Sequence, residues 1–308
     1  MEGEHTPSSP QKAGTPSELV RSSHPAYPSI TPAPKAKPGN AGDCAVDPTR
    51  YFEDHWREID PQRLDRYELM FAWRPEHDVL IAPAQIEAGQ TVLDFGSGPG
   101  QLAVELAGRV GAGGHVHGVD LNADFVARSR ERAEGAGLAD RLTFHHVTGK
   151  ELPLKDASID RVICKNVLEY VPDLDATLRE LRRVQPEGAL LHAIDSDWSF
   201  VIVEPWSPEA VAEFFGAAAH AFREPNIGRK LRAALLRAGY RDIQVAMQPV
   251  IDTTGITQVL LQNMASYVHE FETLPVARVE ELLGQARESV DRGVYLFVLP
   301  QFLVTGTA

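Results

Sequence analysis

The sequence predicts an α/β fold: a doubly wound, mainly parallel sheet of seven strands with helices on both faces. Three observations predict it. An apolar run, Thr91-Val92-Leu93-Asp94-Phe95, leads at once into the glycine-rich turn Gly96-Ser97-Gly98-Pro99-Gly100 and then into helical spacing from Gln101. Short apolar strands then alternate with amphipathic stretches, the pattern of βαβ units. Asp94, Asp120 and Asn166 all fall at predicted strand ends, where ligands bind in such sheets.

Taken in order, residues 1–47 hold eight of the 22 prolines, with many small polar residues and few large apolar ones. Such a segment buries too little surface to offset its ordering entropy, so it is expected to be a disordered tail. From Pro48 the composition changes. Tyr51, Phe52, His55, Trp56, Ile59, Leu64, Tyr67, Met70, Phe71 and Trp73 recur at helical spacing and predict helices over 49–58 and 61–83. Strands are expected near 91–95, 114–120, 141–146, 159–165, 188–195, 241–248 and 294–305. Helices are expected near 101–110, 122–136, 174–185, 208–220 and 227–240. Two further helices, near 256–272 and 275–290, lie between the last two strands.

Composition narrows the function. The 308 residues include 43 acidic and 30 basic side chains, a formal net charge of −13. Nucleic-acid binding wants clustered Lys and Arg, so that partner class is disfavoured. Cys44 and Cys164 supply neither a disulfide framework nor a metal ligand set. His115, His117, His145 and His146 fall at strand margins without a completing acid or Cys pattern, so no metal is expected. No apolar run is long enough to span a membrane, and the N-terminal residues lack the pattern of a secretory signal. A cytoplasmic protein is expected.

The glycine turn points to a class of ligand. A dinucleotide fingerprint needs a third glycine where Gln101 stands. The Asp94 carboxylate would repel a pyrophosphate and would suit an ammonium or sulfonium. About 20 residues past the loop, Asp120 ends a second strand, placed to accept hydrogen bonds from ribose hydroxyls. Glycine turn, cation-compatible acid and ribose acid fit S-adenosylmethionine (SAM) better than a nicotinamide dinucleotide.

Val92 to Gly100 resembles motif I of the class I SAM-dependent methyltransferases, and Val119-Asp120 resembles their motif II acid. The blocks from Leu152-Pro153-Leu154 through Ser158-Ile159-Asp160-Arg161-Val162 to Asn166-Val167-Leu168-Glu169-Tyr170-Val171-Pro172-Asp173, and the turn Arg183-Val184-Gln185-Pro186-Glu187-Gly188, are similar to the small-molecule enzymes related to ubiquinone and menaquinone biosynthesis. The resemblance covers roughly 90–245. It implies a Rossmann-like methyltransferase domain over 48–308, with cover helices over 48–88 and a helical lid insertion over 250–292. It implies SAM as cofactor, held by Asp94, Gly96, Ser97, Gly98, Gly100, Asp120, Leu121, Thr148, Gly149, Asn166 and Leu168. Thr148 departs from the family, whose members often carry an acid there to bind the adenine amino group; its hydroxyl or the backbone at Gly149 and Lys150 would substitute. Tyr51, Tyr67, Tyr170, Trp198 and Tyr267 are the candidates for the substrate pocket, the aromatics also attracting a sulfonium by cation–π interaction. His192, Asp195, Asp197 and His220 are the candidate bases.

The expected function is therefore methyl transfer to a small organic acceptor, a secondary metabolite or quinone-like compound. The alternative is the same fold turned to a non-methylating pericyclic or decarboxylative step. A regulatory protein that keeps SAM without turnover fits the complete motif I and the insertions less well. The sequence leaves the acceptor atom and the oligomeric state open.

Overall fold

A computed structural model describes residues 49–308 apart from 60 and 150. The expected tail over 1–47, Cys44 and the Lys150 backbone lie outside the described residues. The chain enters through two helices, α1 (Tyr51–Arg57) and α2 (Pro61–Met70). The single helix expected over 61–83 does not form. It stops at Met70, and the chain resumes in short turns over Pro75–His77, in α3 (Asp78–Ile81) and over Ala82–Ala84. Pro75 is the physical reason: it disfavours a helical Arg74, which is extended at φ −136, ψ 153.

Strand and helix then alternate: β1 (Thr91–Phe95), α4 (Gln101–Val110), β2 (His115–Asp120), α5 (Ala123–Gly135), β3 (Leu142–His146), β4 (Arg161–Lys165), α6 (Leu174–Arg183) and β5 (Leu190–Ser196). These five strands pair in parallel in the order β3-β2-β1-β4-β5. The order reverses between β1 and β4, and that switch opens a crevice at the strand ends. After β5 come β6 (Ile202–Glu204), α7 (Pro208–Ala218), α8 (Ile227–Arg237), β7 (Arg241–Asp252), α9 (Gln258–Glu270), α10 (Val276–Asp291) and β8 (Leu296–Thr307). β8 runs antiparallel to β5, β6 and β7. Eight strands stand among the described residues where seven were expected. The additional one, β6, is only three residues long, too short for a period-2 signal.

The central strands of the sheet are buried on both faces, whereas β7 is exposed along most of its length. Val92, Val116, Ile163 and Ile194 meet α4 and α5 residues such as Leu106 and Val126 on one side. Leu93, Val162 and Leu191 meet Leu178 of α6 and Leu231 of α8 on the other. A third apolar cluster joins α7, α9 and α10 around Phe214, Met264 and Leu282. Asp252 fixes the start of the α9–α10 insertion. Its two oxygens accept hydrogen bonds from the backbone and hydroxyls of Thr254 and Thr257, and from Gly255 N–H.

The register places Gly118 of β2 opposite Asp94 of β1. A Cβ there would sit 2.5 Å from the Phe144 ring and 3.0 Å from Ser97 Oγ. Gly118 thus lets β3 close on the sheet beneath the loop that carries the site. Gly118→Ala is expected to destabilise the protein by about 2 kcal/mol in urea unfolding, an overpacking cost. Gly216→Ala, in the exposed interior of α7 with open space at its Cβ, is the control and should stabilise by about 0.5–1 kcal/mol. Equal midpoints for the two variants would contradict this packing.

Candidate functional site

The loop after β1 is shaped by three glycines with positive φ: Gly96 at 72°, Gly98 at 51° and Gly100 at 81°. Two are also sterically required. A Cβ on Gly96 would lie 2.4 Å from Val167, and one on Gly100 would lie 2.8 Å from the Ser129 side chain of α5. The Gly96 and Ser97 amides both donate to the Val119 carbonyl at 2.9 Å. The bend is therefore tied to β2, and β1 and β2 present their acids side by side.

Asp120 is held rigidly. One of its oxygens accepts from Gly98 N–H and the other from Asn122 N–H, at 2.8 and 2.9 Å. Each oxygen keeps capacity for a further hydrogen bond. Burial raises the Asp120 carboxyl to about 6, against the pull of those amides. Asp94 is 2% exposed, and its Oδ2 is buried without a hydrogen-bond partner. Burial first, then the neighbouring Asp120, pushes it up to about 7, while Lys165 acts in the opposite direction. Ser97 Oγ and Asn166 Oδ1 are also buried without partners. Buried polar atoms are rarely left unpaired, so this loop has the hydrogen-bonding shape of a ligand site.

These groups open into a cleft of about 500 Å³ over the strand ends. Of the expected cofactor residues, Asp94, Gly96, Ser97, Gly98, Asp120, Leu121, Thr148, Gly149 and Asn166 line it. Gly100 does not; it is occupied by helix packing against Ser129. Leu168 does not either, because its amide donates to Asp195 at 3.0 Å and its side chain lies in the core. A nucleoside with a cationic amino-acid end fits this set: acids for its hydroxyls and ammonium, backbone for its close approach, and apolar Leu121 beside Thr148 for its base.

The expected acceptor residues divide. Tyr170 lines the cleft, as do Trp56, Phe71 and Trp73. Tyr67 and Tyr267 do not: their hydroxyls face each other at 3.0 Å, joining α2 to α9. Tyr51 packs on His55 and Phe271 in the same layer. Trp198 donates its indole N–H to Glu169 at 2.8 Å, behind Tyr170. The three tyrosines join the cover helices to the insertion, and Trp198 packs within the body of the domain.

None of the four candidate bases lines the cleft. His192 is fully buried two residues short of the β5 position beside Lys165. Its Nε2 meets the Leu80 carbonyl at 2.7 Å and its Nδ1 meets Thr305 Oγ1 at 2.8 Å. Burial lowers it to about 4, so it stays neutral. Asp195 lies on the opposite face of β5, accepting the Leu168 and Ser196 amides. Asp197 caps the turn Trp198–Phe200 and pairs with Arg229. His220 stands against the Phe271 ring at 5.5 Å. Among the strand-margin histidines, His117 and His145 hydrogen-bond each other at 3.2 Å, and His115 meets Thr143.

Several residues escaped the sequence reading. Gln101, at the place of a third fingerprint glycine, accepts the Trp73 amide and donates to Glu68. Arg132 of α5 bonds the Pro99 carbonyl at 2.8 Å and pairs with Glu68 at 2.5 Å. Asn122 caps α5 and donates its side-chain amide to the Trp56 carbonyl at 2.9 Å. Together these hold α1 and α2 across the glycine loop. His77 and Lys165 also line the cleft, and an isolated His or Lys gives no sequence signal of that kind.

The raised Asp94 carboxyl makes stability pH-dependent. Between about pH 4 and 7 the folded chain binds more protons than the unfolded one, so stability falls as pH rises. Asp94→Asn removes the buried charge. It is expected to stabilise the ligand-free protein at pH 8 by on the order of 1–3 kcal/mol, with little gain at pH 5. Thermal unfolding at the two pH values checks this, and a loss of stability at pH 8 would contradict it.

A family model described as a methyltransferase domain matches residues 86–227. The ubiquinone/menaquinone biosynthesis C-methyltransferase of Xylella fastidiosa (strain M23) is 33% identical over 150 residues, 48% of this chain and 56% of that protein. The enzyme of the same description from Stenotrophomonas maltophilia (strain K279a) is 35% identical over 132 residues, 41% of this chain and 51% of that protein. The chain thus spans about half the length of the curated relatives it matches. Among solved structures, phosphoethanolamine N-methyltransferase 2 of Haemonchus contortus, in complex with phosphomonomethylethanolamine and S-adenosylhomocysteine, superposes with a TM-score of 0.56 at 16% identity, covering 85% of this chain and 60% of that one. The YcgJ protein of Bacillus subtilis superposes with a TM-score of 0.50 at 21% identity, covering 74% and 96%. At such identities the superpositions speak for the fold. Motif blocks, strand order and sequence match agree: residues 86–227 are similar to a methyltransferase domain, and the chain resembles the ubiquinone/menaquinone C-methyltransferases over about half of their length.

Proposed function

We propose that the protein transfers a methyl group from SAM to a small organic acceptor, a secondary metabolite or quinone-like compound, in the cytoplasm. The observation that carries this reading is the pairing of two desolvated strand-end acids with an aromatic wall in one cleft. Asp94 and Asp120 suit the polar ends of the cofactor, while Trp56, Phe71, Trp73 and Tyr170 suit a flat apolar acceptor. When bound, SAM supplies a methyl group on a positively charged sulfur, an already activated leaving group.

The chain's own residues then have to orient and shield. The Gly96–Gly100 loop and Asp120 fix the nucleoside end without rearrangement, because Asp120 is already held by two backbone amides. Holding an acceptor in line with a fixed cofactor supplies a large part of the rate enhancement. The α1 and α2 cover, pinned by Gln101, Asn122 and Arg132, keeps water from that line. Aromatic faces in the cleft attract a sulfonium. His77 Nδ1 accepts the Arg74 amide at 3.3 Å, which leaves the proton on Nε2. In that tautomer His77 donates a hydrogen bond to an acceptor oxygen. Burial, then Lys165, lowers its pKa, so it does so as a neutral ring.

Incubation with methyl-labelled SAM and a metabolite extract, read by mass spectrometry, is expected to give a product heavier by the labelled methyl together with S-adenosylhomocysteine. Asp120→Ala is expected to weaken S-adenosylhomocysteine binding by about 1–3 kcal/mol, the loss of charge-assisted hydrogen bonds. A converted product without the label, or unchanged affinity in Asp120→Ala, would contradict the proposal.

A further inference from the structure

The strongest unused feature of the cleft is the ammonium of Lys165. It stands at the end of β4, the neighbour of β1 across the switch in strand order. Asp94 is in register with Ile163, and Lys165 lies two residues further on. The period of a strand therefore puts Asp94 and Lys165 on the same face of the sheet. Both line the cleft. Burial lowers the Lys165 pKa and raises that of Asp94, and each group's charge works against the other's shift, Asp94 being the first of the charges that oppose the lowering at Lys165. Yet the two do not pair, and Lys165 forms no ion pair with any described residue. A buried acid with an unpartnered oxygen and a nearby unpaired cation leave a gap with a charge at each side.

An α-amino acid group carries the complementary pattern, an ammonium and a carboxylate on one carbon. We propose that Asp94 and Lys165 together clamp the amino-acid end of the cofactor, Asp94 taking its ammonium and Lys165 its carboxylate. This rests on the reading of the cleft as a SAM site, and it assigns the residue that distinguishes the intact amino-acid end from a bare nucleoside thioether. The competing role for Lys165 is a structural counter-charge to Asp195 and Glu169, both of which also favour its ionised form. Under that role Lys165 would support the fold without discriminating among ligands.

Calorimetric titration of the full chain with three nucleosides separates the two. They are S-adenosylhomocysteine, its decarboxylated analogue 5′-deoxy-5′-(3-aminopropylthio)adenosine, and 5′-methylthioadenosine, which lacks the amino-acid end altogether. The wild-type protein is expected to prefer S-adenosylhomocysteine over the decarboxylated analogue by about 10–100-fold, the size of one charge-assisted contact. Lys165→Met should erase that preference, with 5′-methylthioadenosine affinity kept within about threefold. Lys165→Arg should retain most of the preference. A wild-type protein that binds S-adenosylhomocysteine and its decarboxylated analogue equally would overturn the clamp without any variant being folded. So would a Lys165→Met protein that weakens all three ligands alike. Failure of all three to bind the folded wild-type chain would remove the cofactor site itself, and the clamp with it.

Discussion

The site depends on an electrostatic conflict that the backbone maintains. Asp94 and Asp120 end adjacent parallel strands, the first buried and the second half-buried, and each is pushed toward its neutral form chiefly by desolvation. The chain answers only part of the cost. Asp120 receives two backbone amides, whereas one oxygen of Asp94 receives nothing. Burying a carboxylate without a partner is expensive, so the fold holds these acids in place against its own stability. Such an arrangement suits a cationic ligand, whose binding would recover the cost.

Around that conflict the structure is stiffened by small, specific contacts. Gly96 gives way to Val167, Gly100 to Ser129 and Gly118 to Phe144, so the loop, α5 and β3 close in on one another at the base of the cleft. The cover helices are attached by polar side chains from the sheet domain, not by a deep apolar interface alone. Gln101, Asn122 and Arg132 reach out from the two helices that follow β1 and β2. Helix α9 reaches the same cover through the Tyr67–Tyr267 contact. Cofactor loop, cover and insertion are thereby mechanically linked.

Much of this was legible in the sequence, for identifiable reasons. The strands and helices from Thr91 to Arg237 follow strong periodicity and glycine punctuation, and their observed limits fall within a few residues of expectation. The acid at each strand end is visible because a charged residue that closes an apolar run marks where the strand stops. What failed was the aim of side chains on long apolar strands. His192 and Asp195 look alike as polar residues in β5. One lies beneath α3 and the other faces away from the cleft, and no one-dimensional pattern separates them. The aromatics Tyr51, Tyr67 and Tyr267 were drawn toward the pocket by their chemistry, whereas packing between helices used them first. Gln101 and Lys165 were passed over for the opposite reason: each is a common surface residue whose role comes from what folds above it.

The central claim is that two desolvated carboxylates await a positively charged nucleoside. Proton linkage tests it most directly. Titration of SAM at pH 6.5 in two buffers of different ionisation enthalpy measures protons exchanged on binding. The account predicts net release, up to about one proton per site, as the ligand draws Asp94 and Asp120 into their ionised forms. Binding with no exchange, or with proton uptake, would contradict it.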